Sequence, residues 1–250
     1  RITASANFRL EMRGLKLGPI WSMERLAVND TTGTWLLIED LRLRPQLSAL
    51  LGGRLSLHDV SVRRLDLDRL PATTKNSAGD ASLPELHISG MDARHLRIGS
   101  AVLGHEAVFS LRGGIEMNPD KTHARLRVAR LDRTEDHAEL DALLGYRDRV
   151  GSMQLELREA QGGLIHSFLG LNSTEGISLQ MAGTGPMDHW PLTIEARISD
   201  AARLEANTTL DVGGDPSLAL RASLSPGPSW TEITGLPDGE ILAEGHGFWR

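Results

Sequence analysis

Cysteine is absent from these 250 residues. That excludes structural disulfides, cysteine-ligated zinc and thiol catalysis, and it is compatible with an oxidising envelope compartment. Aromatic residues are scarce, at 4% with a single tyrosine, Tyr146. A β protein ordinarily favours aromatic and β-branched side chains, yet here Leu, Ala, Ile and Val dominate. Such a smooth aliphatic surface suits packing or alkyl chains better than ring stacking on sugars or bases. No apolar run reaches the length of about 18 residues that a membrane-spanning helix needs. A basic block is also missing. The 27 Lys and Arg are interleaved with 33 Asp and Glu, for a net charge of −6, which argues against a phosphate-neutralising nucleic-acid surface.

Catalytic and metal-binding patterns are equally thin. Nine histidines are present, but His87 and His95 are read in different strands and His105-Glu106 lacks a second histidine four residues on. His58, His123 and His137 sit among charged neighbours and read as solvent-facing. Gly183-Thr184-Gly185 starts like a dinucleotide loop but runs into Pro186 with no third glycine or helix start, so it reads as a turn. No Gly-x-Ser-x-Gly elbow occurs, and nothing selects one carboxylate pair from the acidic residues. The expectation is a protein that is not an enzyme and holds no cofactor and no metal.

What the chain does have is alternation. Leu192, Ile194, Ala196 and Ile198 alternate with Thr193, Glu195, Arg197 and Ser199. After a break, Leu204, Ala206, Thr208, Leu210 and Val212 alternate with Glu205, Asn207, Thr209 and Asp211. After Gly213-Gly214-Asp215-Pro216, Leu218, Leu220, Ala222 and Leu224 continue the pattern. An apolar residue at every second position marks a strand with one apolar and one solvated face. Strands joined by short turns without helices predict an antiparallel meander.

The same pattern covers most of the chain. Leu15 and Leu17 alternate, and Trp35–Leu43 is mostly apolar and ends at Arg44-Pro45. Leu86, Leu96, Val108, Ile115, Leu126, Val128, Leu140, Leu155, Leu157, Ile177, Leu179 and Met181 lie in further alternating segments. Gln46–Leu51 and Gly162–Gly170 predict one or two short helices. Between residues 54 and 70 the apolar positions run Leu55, Leu57, Val60, Val62, Leu65, Leu67, and the phase slips twice, which calls for bulges or corners. Residues 71–84 are small and polar and predict a flexible loop. Three Gly-Pro turns each precede a tryptophan: Trp21, Trp190 and Trp230. The chain opens on Arg1, and the reading is that of a piece of a longer protein whose targeting segment lies outside it.

The alternation predicts about 16 strands of roughly 6–9 residues. Their apolar faces are covered either in a sandwich, or in a closed barrel, or not at all in an open trough. Alternation and composition alone favour the sandwich. A trough of that many strands runs about 75 Å at about 4.8 Å per strand, and lining one sixteen-carbon acyl chain is worth about 12 kcal/mol at about 0.8 per methylene.

Two stretches add a resemblance. Trp35-Leu36-Leu37-Ile38-Glu39-Asp40-Leu41-Arg42-Leu43-Arg44-Pro45, with Leu50-Leu51-Gly52-Gly53-Arg54-Leu55 and Val60-Ser61-Val62, resembles the N-terminal part of the TamB proteins of the AsmA-like group. Glu159-Ala160-Gln161-Gly162-Gly163-Leu164, Leu169-Gly170-Leu171 and Gly183-Thr184-Gly185-Pro186 to Trp190 are similar to the same group. The resemblance implies an all-β fold: a long, curved, twisted antiparallel meander forming one continuous open trough over residues 1–250. It implies a periplasmic location in a Gram-negative bacterium, with an inner-membrane anchor outside this chain. Implied partners are phospholipid acyl chains and, through regions outside this chain, an outer-membrane barrel of the Omp85 type; no nucleic acid is implied. The expected groove lining is Leu126, Val128, Leu140, Leu155, Leu157, Ile177, Leu179, Met181, Leu192, Ile194, Ile198, Leu204, Leu210, Val212, Leu218 and Leu220. The competing expectation is a structural or adhesive β-sandwich that binds no lipid.

Overall fold

The structure is a computed structural model. It describes residues 3–4, 8–50, 55–71, 86–161, 163, 176–199, 201–211, 217–227 and 241–248. The described chain is almost entirely strand, and the strands follow one another in chain order. They are β1 (Thr3–Ala4), β2 (Phe8–Arg13), β3 (Trp21–Asp30), β4 (Gly33–Pro45), β5 (Leu55–Leu67), β6 (Leu86–Ile98), β7 (Ala107–Met117) and β8 (Lys121–Arg130). After them come β9 (His137–Gly145), β10 (Val150–Glu159), β11 (Ile177–Pro186), β12 (Trp190–Ile198), β13 (Ala202–Asp211), β14 (Ser217–Pro226) and β15 (Ile241–Phe248). Two helices of a single turn interrupt them, α1 (Leu47–Leu50) and α2 (Ser100–Leu103). The fold is the all-β meander that the alternation implies. Helix α1 falls where Gln46–Leu51 predicts it. The helix expected at 162–170 and most of the polar segment 71–84 lie outside the described residues.

The chain divides into two compact units, Arg1–Pro119 with Val128–Asp132, and Asp120–Arg127 with Arg133–Arg250. In the first unit β1 to β7 are hydrogen-bonded in sequence and form an open sheet. Their pairing is antiparallel with one exception: β5 and β6 run parallel, from Leu55↔Leu86 to Leu67↔Ile98. Alternation does not encode strand direction, so this step was invisible in the pattern. A parallel pair needs a crossover of a dozen residues or more, because the chain must travel back along a 13-residue strand, about 40 Å at about 3.3 Å per residue. The long polar stretch after Leu70 supplies that length. It read from sequence as a flexible loop, and it is the connection that a parallel step requires.

The phase slips are real, and they run in step across neighbouring strands. Apolar positions Leu36, Ile38, Leu41 and Leu43 of β4 stand opposite Leu67, Leu65, Val62 and Val60 of β5. Those in turn stand beside Ile98, Leu96, Ala93 and Met91 of β6. Strand β7 has no slip, so the pairing of β6 with β7 breaks twice, between Ile88 and Met91 and between Ala93 and Leu96. Bulges thus return every apolar side chain to one face after each slip, and they bend and twist the strands that carry them. Asp40 sits in β4 at one such slip with φ 50°, a conformation that Asp tolerates better than most residues.

The residues at the slips are charged, and they pair on the opposite face. Arg63 reaches Asp40 at 2.5 Å and Glu39 at 3.5 Å. The nearly buried carboxylate of Asp66 is held by Arg64 at 2.9 Å and by Arg97 at 3.3 Å. Arg97 also donates to Asp68 and to Glu106, and Asp68 foremost raises its pKa.

In the second unit β9 to β15 are hydrogen-bonded in sequence, again without closure. Here the register holds without a slip from β9 to β15. Gly183, Thr184 and Gly185, read from sequence as a turn, belong to β11. Glycine is required there because a Cβ on Gly183 would collide with the Pro191 carbonyl oxygen and lie 2.7 Å from Leu192 Cδ2. His87 and His95, read in different strands, share β6 because the slips within it keep one 13-residue strand continuous. The reading of Leu15 and Leu17 as strand residues is likewise corrected. They lie between β2 and β3, where only Lys16 forms an isolated bridge, to Ser22.

Candidate functional site: the apolar face

In an antiparallel pair, residues directly opposite each other share a face. Following the register across the second unit therefore shows which positions line up. One row runs Leu140, Leu155, Met181, Ile194, Ala206, Ala222 and Ala243. The next runs Ala138, Leu157, Leu179, Ala196, Leu204, Leu224 and Ile241. A third contains Leu192, Thr208 and Leu220, and a fourth contains Trp190, Leu210 and Leu218. Ile177 and Ile198 stand opposite each other at the end of the sheet.

The expected lining residues of β9 to β14 thus occupy positions on a single face. Leu126 joins them: Arg127 and His123 of β8 pair with Glu139 at 3.2 Å and Asp141 at 2.9 Å on the opposite face, and alternation turns Leu126 the other way. Val128 lies on β8 where that strand passes into the first unit. Val212 lies outside the described residues.

The burial of these side chains is uneven. Ile177 and Leu192 are buried, with Trp190, Ala202 and Ala206. Leu140, Leu155, Leu157, Leu179, Met181, Ile194, Ile198, Leu204 and Leu210 are only half-buried. Small residues and one tryptophan make up much of the sealed part, while most of the bulky aliphatics keep access. Trp190 lies flat toward Gly151, where an added Cβ would sit 2.9 Å from the ring. Two polar residues on this face, Glu159 and Thr208, are buried.

The opposite face of the same strands carries Glu156, Arg158, Gln180, Glu195, Arg197, Arg203 and Asn207. Two clefts of about 710 Å³ and about 850 Å³ open among these and neighbouring residues. Glu195 accepts from Arg197 at 2.5 Å and lies 3.1 Å from Arg203. The hydrogen bond from Arg197, then the charges of Arg197 and Arg203, hold its carboxyl below the ordinary carboxylate range. What the ladder adds to stability is present above the ordinary carboxylate pKa and is lost as pH falls through the lowered one. Among the described residues no group of three or more His, Asp or Glu is placed to hold a metal ion. Glu156 pairs with Arg158 at 2.9 Å and Arg203 with Glu205 at 2.7 Å on the same face.

Comparison with known proteins finds no matching family model, no matching curated protein and no matching solved structure.

The first unit presents a second face of the same kind, which the expected lining omitted. Leu36, Ile38, Leu41 and Leu43 share it with Val60, Val62, Leu65 and Leu67, and with Met91, Ala93, Leu96 and Ile98. Leu111, Phe109 and Ala107 continue it on β7. The slips hid this face, since a strict two-residue period breaks at each of them. Three apolar pairs spaced five apart in β5 were the signal that could have revealed it. Trp21, at the start of β3 after Gly18-Pro19, stands opposite Leu43 on this face. Trp190 has the corresponding place in β12 after Pro186. The third Gly-Pro tryptophan, Trp230, is outside the described residues.

Proposed function

We propose that this chain is a segment of a bridge-like lipid-transfer protein of the TamB or AsmA-like kind, whose apolar sheet face holds phospholipid acyl chains. The observation that carries the proposal is the unbroken set of cross-strand rows, Leu140 to Ala243 and Ala138 to Ile241, with bulky aliphatics left half-buried. A sheet packed under a second layer seals such residues. A sheet meant for alkyl chains leaves them accessible and aliphatic, and holds chains of different length alike because it makes no directional bond to any of them. The segment acts without catalysis or cofactor. Its place is the periplasm of a Gram-negative bacterium, anchored to the inner membrane by a segment outside this chain. There it serves phospholipid transport between the two membranes, or assembly of outer-membrane proteins with a barrel partner of the Omp85 type.

Native mass spectrometry of the protein purified from membranes tests this. The expected result is a series of masses offset by whole phospholipids. Lipid-free protein that also takes up no fluorescent acyl probe would contradict it.

A further inference from the structure

We infer that the hairpin tip from Gly14 to Ile20 is a bilayer-docking finger, inserting Leu15, Leu17 and Ile20 among anionic lipid headgroups. This stands beside the acyl-groove reading and does not depend on it.

Three of the large apolar side chains most exposed in the described chain belong to this one tip: Leu15 at 51%, Leu17 at 68% and Ile20 at 48%. The tip is held, not loose. Lys16 donates its backbone N–H to Ser22 at 2.8 Å and receives that of Ser22 at 2.9 Å. Gly14, with φ 66°, turns the chain into the tip, and Glu24 fills the space where a Cβ on Gly14 would stand. A closed ladder of this kind keeps the apolar side chains from folding back onto the sheet. Pro19 stiffens the tip further by fixing its own φ.

The base of the finger is cationic. Arg13 and Arg25 stand directly opposite each other in the register, and Glu39 stands on the other side of Arg25. Lys16 adds a third cation and Arg42, opposite Ser22, a fourth, against the two acids Glu24 and Glu39; Glu11, farther from the tip, pairs with Arg9 at 3.4 Å. Aliphatic tips over a collar of Lys and Arg match the layering of a membrane interface, with acyl region inside and phosphate above it. Trp21, the next residue, is of the type that sits at headgroup level. A tip of three aliphatic side chains offers too little area for a stable protein interface, which buries about 800 Å² per partner. A bilayer accepts it without needing a complementary surface.

The test is co-sedimentation of the whole chain with vesicles of phosphatidylcholine and phosphatidylglycerol in equal parts. Wild type is expected to bind, and the double variant Leu17→Asp, Ile20→Asp to bind at least about tenfold more weakly. Arg13→Glu weakens binding and flattens its dependence on salt. Leu70→Asp, changing an apolar residue just as exposed at 65% but away from the finger, binds as wild type does. All four proteins are checked for unchanged thermal unfolding, and the finger variant should still take up acyl probe. Failure of wild type to bind overturns the inference. So does binding by the double variant at wild-type strength. Finger-dependent self-association without vesicle binding overturns it in favour of a protein contact. Loss of acyl uptake by wild type, with vesicle binding intact, removes the groove reading and leaves the finger standing.

Discussion

Leu155→Asp should cut uptake of a fluorescent acyl probe at least about thirtyfold, the equivalent of about 2 kcal/mol, while the protein stays folded. Leu155 stands mid-row between Leu140 and Met181 and is half-buried. If its exposed portion meets alkyl chains, a carboxylate there removes apolar contact from the ligand and places a charge in its path. The folded protein loses far less, since solvent can hydrate the new group when no ligand is bound. Leu192→Asp gives the opposite split. Leu192 is 5% exposed, so the substitution buries a charge and costs about 3–5 kcal/mol of stability. Thermal unfolding of both variants, read beside probe uptake, separates the two roles. In a dry sandwich core the two variants would unfold alike.

Gly183→Ala should be the most damaging one-atom change in the second unit. The added Cβ meets the Pro191 carbonyl oxygen, and a backbone oxygen cannot swing aside as a side chain can. β11 and β12 must separate at that point, and the strained ladder is expected to cost about 3 kcal/mol. For a chain of this size that lowers the unfolding midpoint by about 6–12 °C. Gly18→Ala is the control, because the nearest atom to a Cβ there is 3.8 Å away. Differential scanning calorimetry reads both. A Gly183→Ala midpoint within a degree or so of wild type would show that the β11–β12 approach is looser than described.

Much of this architecture is legible in the residues. The two-residue period located β9 to β14 and put Leu140, Leu155, Met181 and Ile194 on a common face, because a strand has no other way to hide every second side chain. The slips at Leu57/Val60 and Val62/Leu65 announced bulges. Strand direction was not legible: Leu55 to Leu67 reads the same whether its neighbour runs with it or against it. The polar segment after Leu70 therefore read only as a flexible loop, when its length serves the parallel step to β6. Local alternation also misled at Leu15 and Leu17. Nothing within seven residues says that Gly14 turns the chain away from the sheet. Gly183 and Gly185 looked like a turn for a related reason, since what crowds them is the carbonyl oxygen and the ring of Pro191 in the next strand.

Acyl chains lying on one face of the sheet, and not the other, would be labelled from one side only. A photoreactive benzophenone side chain placed at position 179 in one protein and at 180 in another puts the same reagent on opposite faces of β11. After irradiation of cells and purification, phospholipid is expected cross-linked to the protein carrying the group at 179, and none above background from 180. Equal labelling at the two positions, or labelling from 180 alone, would contradict a one-sided acyl surface.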